Sequence, residues 1–354
     1  MKILHFIDSS YFQVHKKTIS ELIFMLSKSD NVVQEIVTSF GADLGWLSSV
    51  VPVKFWKVSK KGKIKTLKNR FNMWLEASRF SPDIVIKWGR DARLLAPSGD
   101  YVQVSFLNEK ENLKNFDKSD YIMTNLDYVL DFAKANGFSG AKSFSVPSFV
   151  CEYDVGKTLD KRDFFIPEKA GIIYIAGNFL KGIGFEPTFE VVSSIQDTYF
   201  FIAGSGNEEE YIKECASRVN MKARSRFIPE IEKSLSALNL SDFAILTFDD
   251  VELQKNILEA WFAKKIVLTV ENETSFEFIK DGVNGFVVPK GDTYLFRQKI
   301  KEILNLSPEK KQEIIDNAYN IAMEFVASNV ILNYVKVFDE LIAKYKSRKN
   351  LLNS

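Results

Sequence analysis

Short apolar runs alternate with helical patterns along almost the whole of this 354-residue chain, and that alternation limits its folds more than any other feature. Runs too short for helices, bounded by turn residues, read as strands. They fall at 3–7, 33–39, 53–58, 84–88, 102–107, 121–124 and 143–146, with the clearest helices over 18–29, 64–79 and 128–136. Strands that alternate with helices make βα units and a mostly parallel sheet. The stretch "CEYDVGKTLDKRDFFIPEKA" (151–170) breaks the rhythm with charge, a glycine and a proline, and is expected to be a linker. The rhythm restarts at 171–176, 199–203, 226–228, 243–247, 266–270 and 286–288. The expectation is therefore α/β: two doubly wound parallel sheets in series, one over 1–150 and one over 171–327. Such sheets bind ligands beyond the carboxyl ends of their strands, and two facing sheets would make a cleft.

Composition agrees with two ordinary domains. Apolar residues are 46% and charged residues 26%, as in soluble globular proteins. Cys151 and Cys215 stand far apart without a CxxC spacing, so neither a disulfide framework nor a zinc site is implied. The opening "MKILHFIDSS" reads as a first strand, and no apolar run approaches the ~20 residues of a membrane span. A cytoplasmic protein is expected. The net charge of +1 hides an asymmetry, because residues 1–150 carry 21 basic and 15 acidic side chains. Much of that excess sits in "KFWKVSKKGKIKTLKNR" (54–70), which suggests an anionic partner on one side, such as the inner face of the plasma membrane. The helix over 64–79 carries Ile64, Leu67, Phe71, Trp74 and Leu75 on one face, and that face is expected to pack on its own sheet. Nucleic acid is not expected, since no recognition motif accompanies the lysines.

Candidate chemistry gathers in the second half. In "YFFIAGSGNEEE" a strand runs into Gly204 and Gly206 and then a helix, which lets backbone N–H groups approach a phosphate or simply makes a tight turn. A dinucleotide fingerprint would need a third glycine where Glu209 stands, which disfavours a nicotinamide-dependent oxidoreductase. "IAGNFLKGIGF" ends a strand at Gly177 and brings Asn178 and Lys181, the latter a counter-charge for a diphosphate or an ordinary surface lysine. "LQKNILEAWFAKK" places Glu259 within an apolar helix, where a carboxylate needs a partner such as a ribose diol or a nearby lysine. Finally, "FEFIKDGVNGFVVPKGD" (276–292) spends Gly282, Gly285 and Gly291 on turns around a short strand.

In this order, "GNFLKG", "FIAGSG", "SDFAILTF", "NILEAWFAKKIVLTV" and "FEFIKDGVNGFVVPKGD" resemble the donor half of GT-B glycosyltransferases of retaining family 4 (group 1). The resemblance implies two Rossmann-like domains facing across a cleft, the first on the acceptor side and the second binding a nucleotide sugar. It also implies that the last helix, about 328–354, packs back on the first domain. Residue by residue, it implies a ribose contact for Glu259, a grip on the donor phosphates for Lys181, and places under the nucleotide for Gly204 and Gly206. Phe227 and Ile228 fall where the base packs, and Gly177, Asn178, Glu252 and Asn256 complete the implied donor set. No cofactor or metal is implied. The pattern is also broken: Val251 stands where the first glutamate of a pair belongs, Asn178 where an arginine does, and the loop after the first strand, "DSSYFQVHKKT", has no glycine.

On the acceptor side the candidates are His15 in that loop and Lys87, Trp88 and Arg90 of "KWGRDAR", read as standing at the mouth of the first sheet. For each, an ordinary loop or core place is the competing reading. The implied activity is sugar transfer with retention to a glycan or glycolipid, in bacterial surface polysaccharide or lipopolysaccharide synthesis. The alternative is a GT-B protein that has lost catalysis and serves as a nucleotide- or glycan-binding partner subunit.

Overall fold

The computed structural model describes residues 1–39, 44–45, 47–56, 63–116, 118–138, 142–152, 159–228, 234–246 and 252–353. The chain divides into two compact units, Met1–Pro147 with Ser328–Ser354, and Ser148–Ala327. The first holds strands β1 (Lys2–Ile7), β2 (Val33–Ser39), β3 (Val53–Trp56), β4 (Ile84–Trp88), β5 (Val102–Phe106), β6 (Tyr121–Thr124) and β7 (Ser143–Ser145). They form one sheet in the order β3-β2-β1-β4-β5-β6-β7, and the paired strands run parallel. Central strands β4 and β5 are buried along their whole length, as covering helices on both faces require.

The second unit repeats the plan with β8 (Gly171–Ala176), β9 (Thr198–Ala203), β10 (Ser225–Ile228), β11 (Phe243–Leu246), β12 (Ile266–Val270) and β13 (Phe286–Val288). Its order is β10-β9-β8-β11-β12-β13, again parallel throughout. Alternate residues supply two cores. Ile173, Ile175, Phe200 and Ile202 face one side, while Ile172, Tyr174, Phe201 and Ala203 face the other. In each sheet the chain walks outward from its first strand and then returns to that strand's other side. That reversal opens a crevice between β1 and β4 and another between β8 and β11, where α/β sheets bind ligands.

Three sequence expectations need correction. The segment read as a linker is in part structural: Leu159, Ile166 and Ala170 are buried in the second unit's core. A capping box of Asp160 and Asp163 and a hydrogen bond from Arg226 Nε to the Phe164 carbonyl (2.7 Å) fix its path. The loop after β1 is helical over Ser9–Val14, capped by Asp8, whose Oδ1 accepts from the Ser10 amide at 2.9 Å. Third, the helix Lys63–Phe80 does not pack the face expected. Met73, Ala77 and Phe80 pack on Leu4, Phe6, Val37 and Val85, while Phe71, Trp74 and Leu75 are exposed. The last helix, Ala327–Asn353, is held within the first unit. Tyr334 Oη donates to the Val146 carbonyl at 3.3 Å, Tyr345 Oη to that of Gly99 at 3.3 Å, and Lys346 pairs with Asp83 at 3.2 Å.

Candidate functional site

At the crevice of the second sheet, the loops that follow β8 and β9 and the end of β10 are stitched together by backbone hydrogen bonds. Gly177 N donates to Ala203 O (3.1 Å), Phe179 N to Ser205 O (3.0 Å), Gly204 N to Ile228 O (3.2 Å) and Glu208 N to Phe179 O (3.1 Å). The glycines exist for that approach. A Cβ at Gly204 would lie 2.0 Å from the Gly177 carbonyl oxygen, and one at Gly206 would lie 2.5 Å from that of Phe179. Phe227 and Ile228 are packing residues on opposite faces of β10. The Phe227 ring meets Phe179 edge-on at 6.0 Å, and Ile228 joins the core of Tyr174 and Trp261.

Lys181 stands outside this stitching, 60% exposed. Its ammonium lies 3.3 Å from Glu208 Oε2 and 4.9 Å from the centre of the Tyr211 ring. An exposed pair of this kind contributes ~0–1 kcal/mol, so an incoming anion can displace Glu208 at little cost. Tyr211 in turn donates to Glu186 Oε1 at 2.5 Å, and that bond raises its phenol to about 12.

The helix Leu253–Phe262, which leads away from β11, buries an unusual amount of polarity. Glu252, Gln254, Lys255 and Glu259 are each at most 5% exposed. Spacing explains part of it, because Lys255 and Glu259 are four residues apart and share one helix face. Lys255 Nζ donates to the Phe149 carbonyl at 2.7 Å, and Ser234 Oγ donates to Glu259 Oε2 at a long 3.4 Å. Tyr174, on β8, lies close enough that Glu259 helps hold its phenol well above the usual range, burial being the larger cause. Asn256 is half-buried, its backbone amide bonded to the Glu252 carbonyl at 2.9 Å. The structure thus brings Gly177, Asn178, Lys181, Gly204, Gly206 and the helix of Glu259 to one edge of one sheet. Sequence reading missed Tyr174, Ser234, Gln254 and Lys255; only the i, i+4 spacing of Lys255 and Glu259 could have flagged any of them. Asp250 and Val251 lie outside the described residues.

The crevice of the first sheet is different. Lys87 and Trp88 were expected at its mouth, yet both are fully buried, which corrects that reading. Lys87 Nζ donates to Gln103 Oε1 (3.2 Å) and to the Lys118 carbonyl (3.1 Å), and burial lowers its pKa to about 8. Trp88 Nε1 donates to His5 Nδ1 at 3.2 Å, and its ring packs on Phe106 at 4.6 Å. His15 is buried rather than in an open loop. It pairs with the Asn108 amide at 2.8 Å beside the Tyr11 ring at 3.9 Å, and burial lowers it to about 3. Arg90 alone of the four is exposed, at the start of the helix Arg90–Leu95. Asp8 ties the two halves of the crevice, since its Oδ2 accepts from the Asp91 amide at 3.2 Å while its Oδ1 caps Ser9–Val14. The D-S-S capping signal was legible in the sequence and was missed.

Comparison with known proteins bears on the second crevice. Residues 156–321 match the model of glycosyl transferases group 1. The matched span is a little under half of the chain, begins inside the stretch expected as a linker and contains every donor-side candidate. A lipopolysaccharide core biosynthesis glycosyltransferase of Rhizobium meliloti, LpsE, is 24% identical over 268 residues, covering 72% of this chain and 78% of that one. Among solved structures, a glycosyltransferase of Rickettsia africae superposes with a TM-score of 0.78 at 14% identity, over 96% of this chain and 98% of that one. Anabaena HepE, solved in complex with UDP-glucose, gives 0.76 at 14% identity, over 96% and 100%. Two all-parallel α/β sheets of this order, with these likenesses, are the GT-B fold.

Proposed function

We propose that this chain is a family 4 glycosyltransferase that moves a sugar, with retention, from a nucleoside-diphosphate sugar to a glycan or glycolipid acceptor. Its setting in this reading is lipopolysaccharide or other surface polysaccharide synthesis. The observation that carries it is the group 1 glycosyltransferase domain over 156–321, with the LpsE likeness and the UDP-glucose complex of HepE in support. In this reading the roles follow from the chemistry of the side chains. Glu259 is a buried carboxylate, an acceptor that suits the paired hydroxyls of a ribose. Lys181 leaves Glu208 for the donor diphosphate and neutralises the charge that grows on it as the glycosidic bond breaks. The diphosphate helps deprotonate the acceptor on the same face, and the chain mainly positions and stabilises. No metal or other cofactor takes part.

The test is donor consumption across a panel of nucleotide sugars, with candidate acceptors, for wild type and Lys181→Ala. Turnover should fall on the order of 10²-fold, and by more than donor affinity does, because the charge matters most in the transition state. One observation favours a second reading: Asn178 replaces the expected arginine, and the remaining cation, Lys181, is paired with Glu208. A partner subunit that binds nucleotide without turnover would show affinity and no consumption for any donor. That result would sink the enzyme reading.

A further inference from the structure

The helix Glu209–Arg218 opens on three successive carboxylates, Glu208 at its cap and Glu209 and Glu210 in its first turn. Two of them are answered within the helix by Lys213 Nζ, which lies 2.8 Å from Glu209 Oε1 and 2.8 Å from Glu210 Oε1. Glu208 takes its cation from a different loop. Its amide donates to the Phe179 carbonyl at 3.1 Å, and just beyond Phe179 in the loop after β8 stands Lys181, whose Nζ lies 3.3 Å from Glu208 Oε2. The stitching of the two loops thus sets the pair face to face, although neither side chain takes part in it. Tyr211 completes the resting place. Lys181 Nζ lies 4.9 Å from the centre of its ring, and the ring is held by the bond to Glu186 Oε1 at 2.5 Å. Among the described residues Lys181 makes no other ion pair or ring contact.

An anion that comes to this edge therefore meets a competitor. The positive end of a helix and an ammonium group each draw a diphosphate. Here a carboxylate already holds the ammonium, and carboxylates of the chain itself stand at the helix start. A ligand must take Lys181 from Glu208, and Glu208 stays within reach to take it back. That matters most once a sugar has been transferred. A cation that stabilises the departing diphosphate in the transition state grips the free diphosphate as well, and so holds back the product. A carboxylate that competes for the same cation offsets that grip.

We infer that Glu208 is a resident competitor of the diphosphate for Lys181, holding the lysine while the site is empty and limiting the affinity for the nucleoside diphosphate product. The inference rests on the reading of Lys181 as the cation that grips the donor diphosphate, and adds to it a residue that lets the product go. Glu208 acts through Lys181, so it is a positioning residue and not a catalytic one. Glu209 and Glu210 have no such part, because Lys213 holds them both.

The experiment is calorimetric titration of the full chain with UDP, GDP and ADP, and with inorganic pyrophosphate as the part they share. The proteins are wild type, Glu208→Gln, Lys181→Ala, the double variant, and Glu210→Gln, which removes the same charge from the same turn. Glu208→Gln should bind the preferred ligand about fivefold more tightly than wild type, the upper end of what release of an exposed ion pair yields. In the Lys181→Ala background the same change should alter affinity by less than about twofold, and so should Glu210→Gln in wild type. Thermal unfolding of Glu208→Gln should match wild type, since the bond to Phe179 is made by the backbone. Unchanged or weaker binding by Glu208→Gln overturns the inference. A gain that persists in full without Lys181, or an equal gain in Glu210→Gln, overturns it too, because either assigns the effect to overall charge. If pyrophosphate binds and no nucleotide does, the nucleotide-sugar reading fails, and the same comparison on pyrophosphate still decides the role of Glu208. If no variant binds any of the four, there is no anion for Glu208 to oppose, and both readings fall.

Discussion

The two sheets share a topology and build their crevices in opposite ways. At the edge of the first sheet, the side chains that look chemical are consumed by the fold. Lys87, Trp88, His5 and His15 are all buried and bonded to neighbours. At the edge of the second sheet, glycines bring two loops and the end of β10 together by backbone alone, and the candidate side chains are an exposed Lys181 and a buried Glu259. A candidate residue at the carboxyl end of a parallel strand is thus a weak signal by itself. It gains weight when the local backbone needs no side chain to hold its shape.

The largest expected effect would break the stitched edge itself. Gly204→Ala puts a Cβ 2.0 Å from the Gly177 carbonyl oxygen, and that obstacle is backbone that cannot rotate aside. The change should destabilise the second unit by about 4 kcal/mol, above the usual range for overpacking because the backbone itself must shift. Gly89→Ala in the first unit meets the Cβ atoms of Tyr11 and Asp8, themselves fixed by their backbone, at the longer distances of 2.6 and 2.8 Å, and should cost less for that distance alone. Denaturant unfolding of both variants checks this, and equal losses would remove the contrast.

The next effect tests whether the first edge is merely structural. Burial holds the Lys87 pKa near 8 against an ordinary 10.5. The folded state therefore binds fewer protons than the unfolded state between those values, and stability should rise as pH climbs from about 8 to 10.5. The penalty below that window amounts to roughly 3 kcal/mol. Lys87→Met should flatten the rise in a series of urea melts and leave nucleotide affinity unchanged. An altered affinity would return Lys87 to the functional candidates.

How much of this was legible beforehand follows from what each residue answers to. Strand and helix placement depends on apolar spacing, which is a local property, and so the βα rhythm and both parallel sheets could be read directly. Glu259 and Lys181 were visible because their neighbourhoods form motifs. Phe71 and Trp74 were misassigned for a different reason: their helix carries two apolar stripes, and periodicity cannot say which one meets the sheet. Lys87 and Trp88 failed for a third reason. Burial at a strand end depends on what the following loops cover, and here Gln103 and the Lys118 carbonyl accept the lysine. No spacing between residues 87, 103 and 118 announces that contact.

Glu259→Gln is the counterpart of the Lys87 test, with affinity and stability exchanged. The amide keeps the size and one oxygen but loses the charge that would strengthen bonds to ribose hydroxyls. Nucleoside diphosphate affinity should fall by ~1.5–3 kcal/mol, the worth of hydrogen bonds to a charged group. Calorimetry measures it, and a variant that binds as tightly as wild type would make Glu259 a structural carboxylate beside Tyr174.

The smallest expected effect concerns the turn between Lys280 and Phe286, which restores the chain to the edge strand β13. Its organiser is Asn284, only 2% exposed. The Asn284 Oδ1 accepts from the Lys280 amide at 2.8 Å, and its Nδ2 donates to the Phe278 carbonyl at 3.0 Å. Gly282 closes the turn by donating to the Gly285 carbonyl at 2.8 Å, with φ +69° and nothing within 4 Å of where a Cβ would be. A side chain there meets no obstacle, so the cost is backbone conformation alone. Gly282→Ala should lose about 1 kcal/mol, and Gly282→Asn less, because asparagine tolerates the left-handed region. This is a quarter or so of the Gly204 effect on the same unit, although both glycines sit in loops next to strands of one sheet, Gly204 after β9 and Gly282 before β13. If Gly282→Asn destabilises as much as Gly282→Ala, backbone preference is the wrong account of that position and the distinction drawn between the two glycines fails with it.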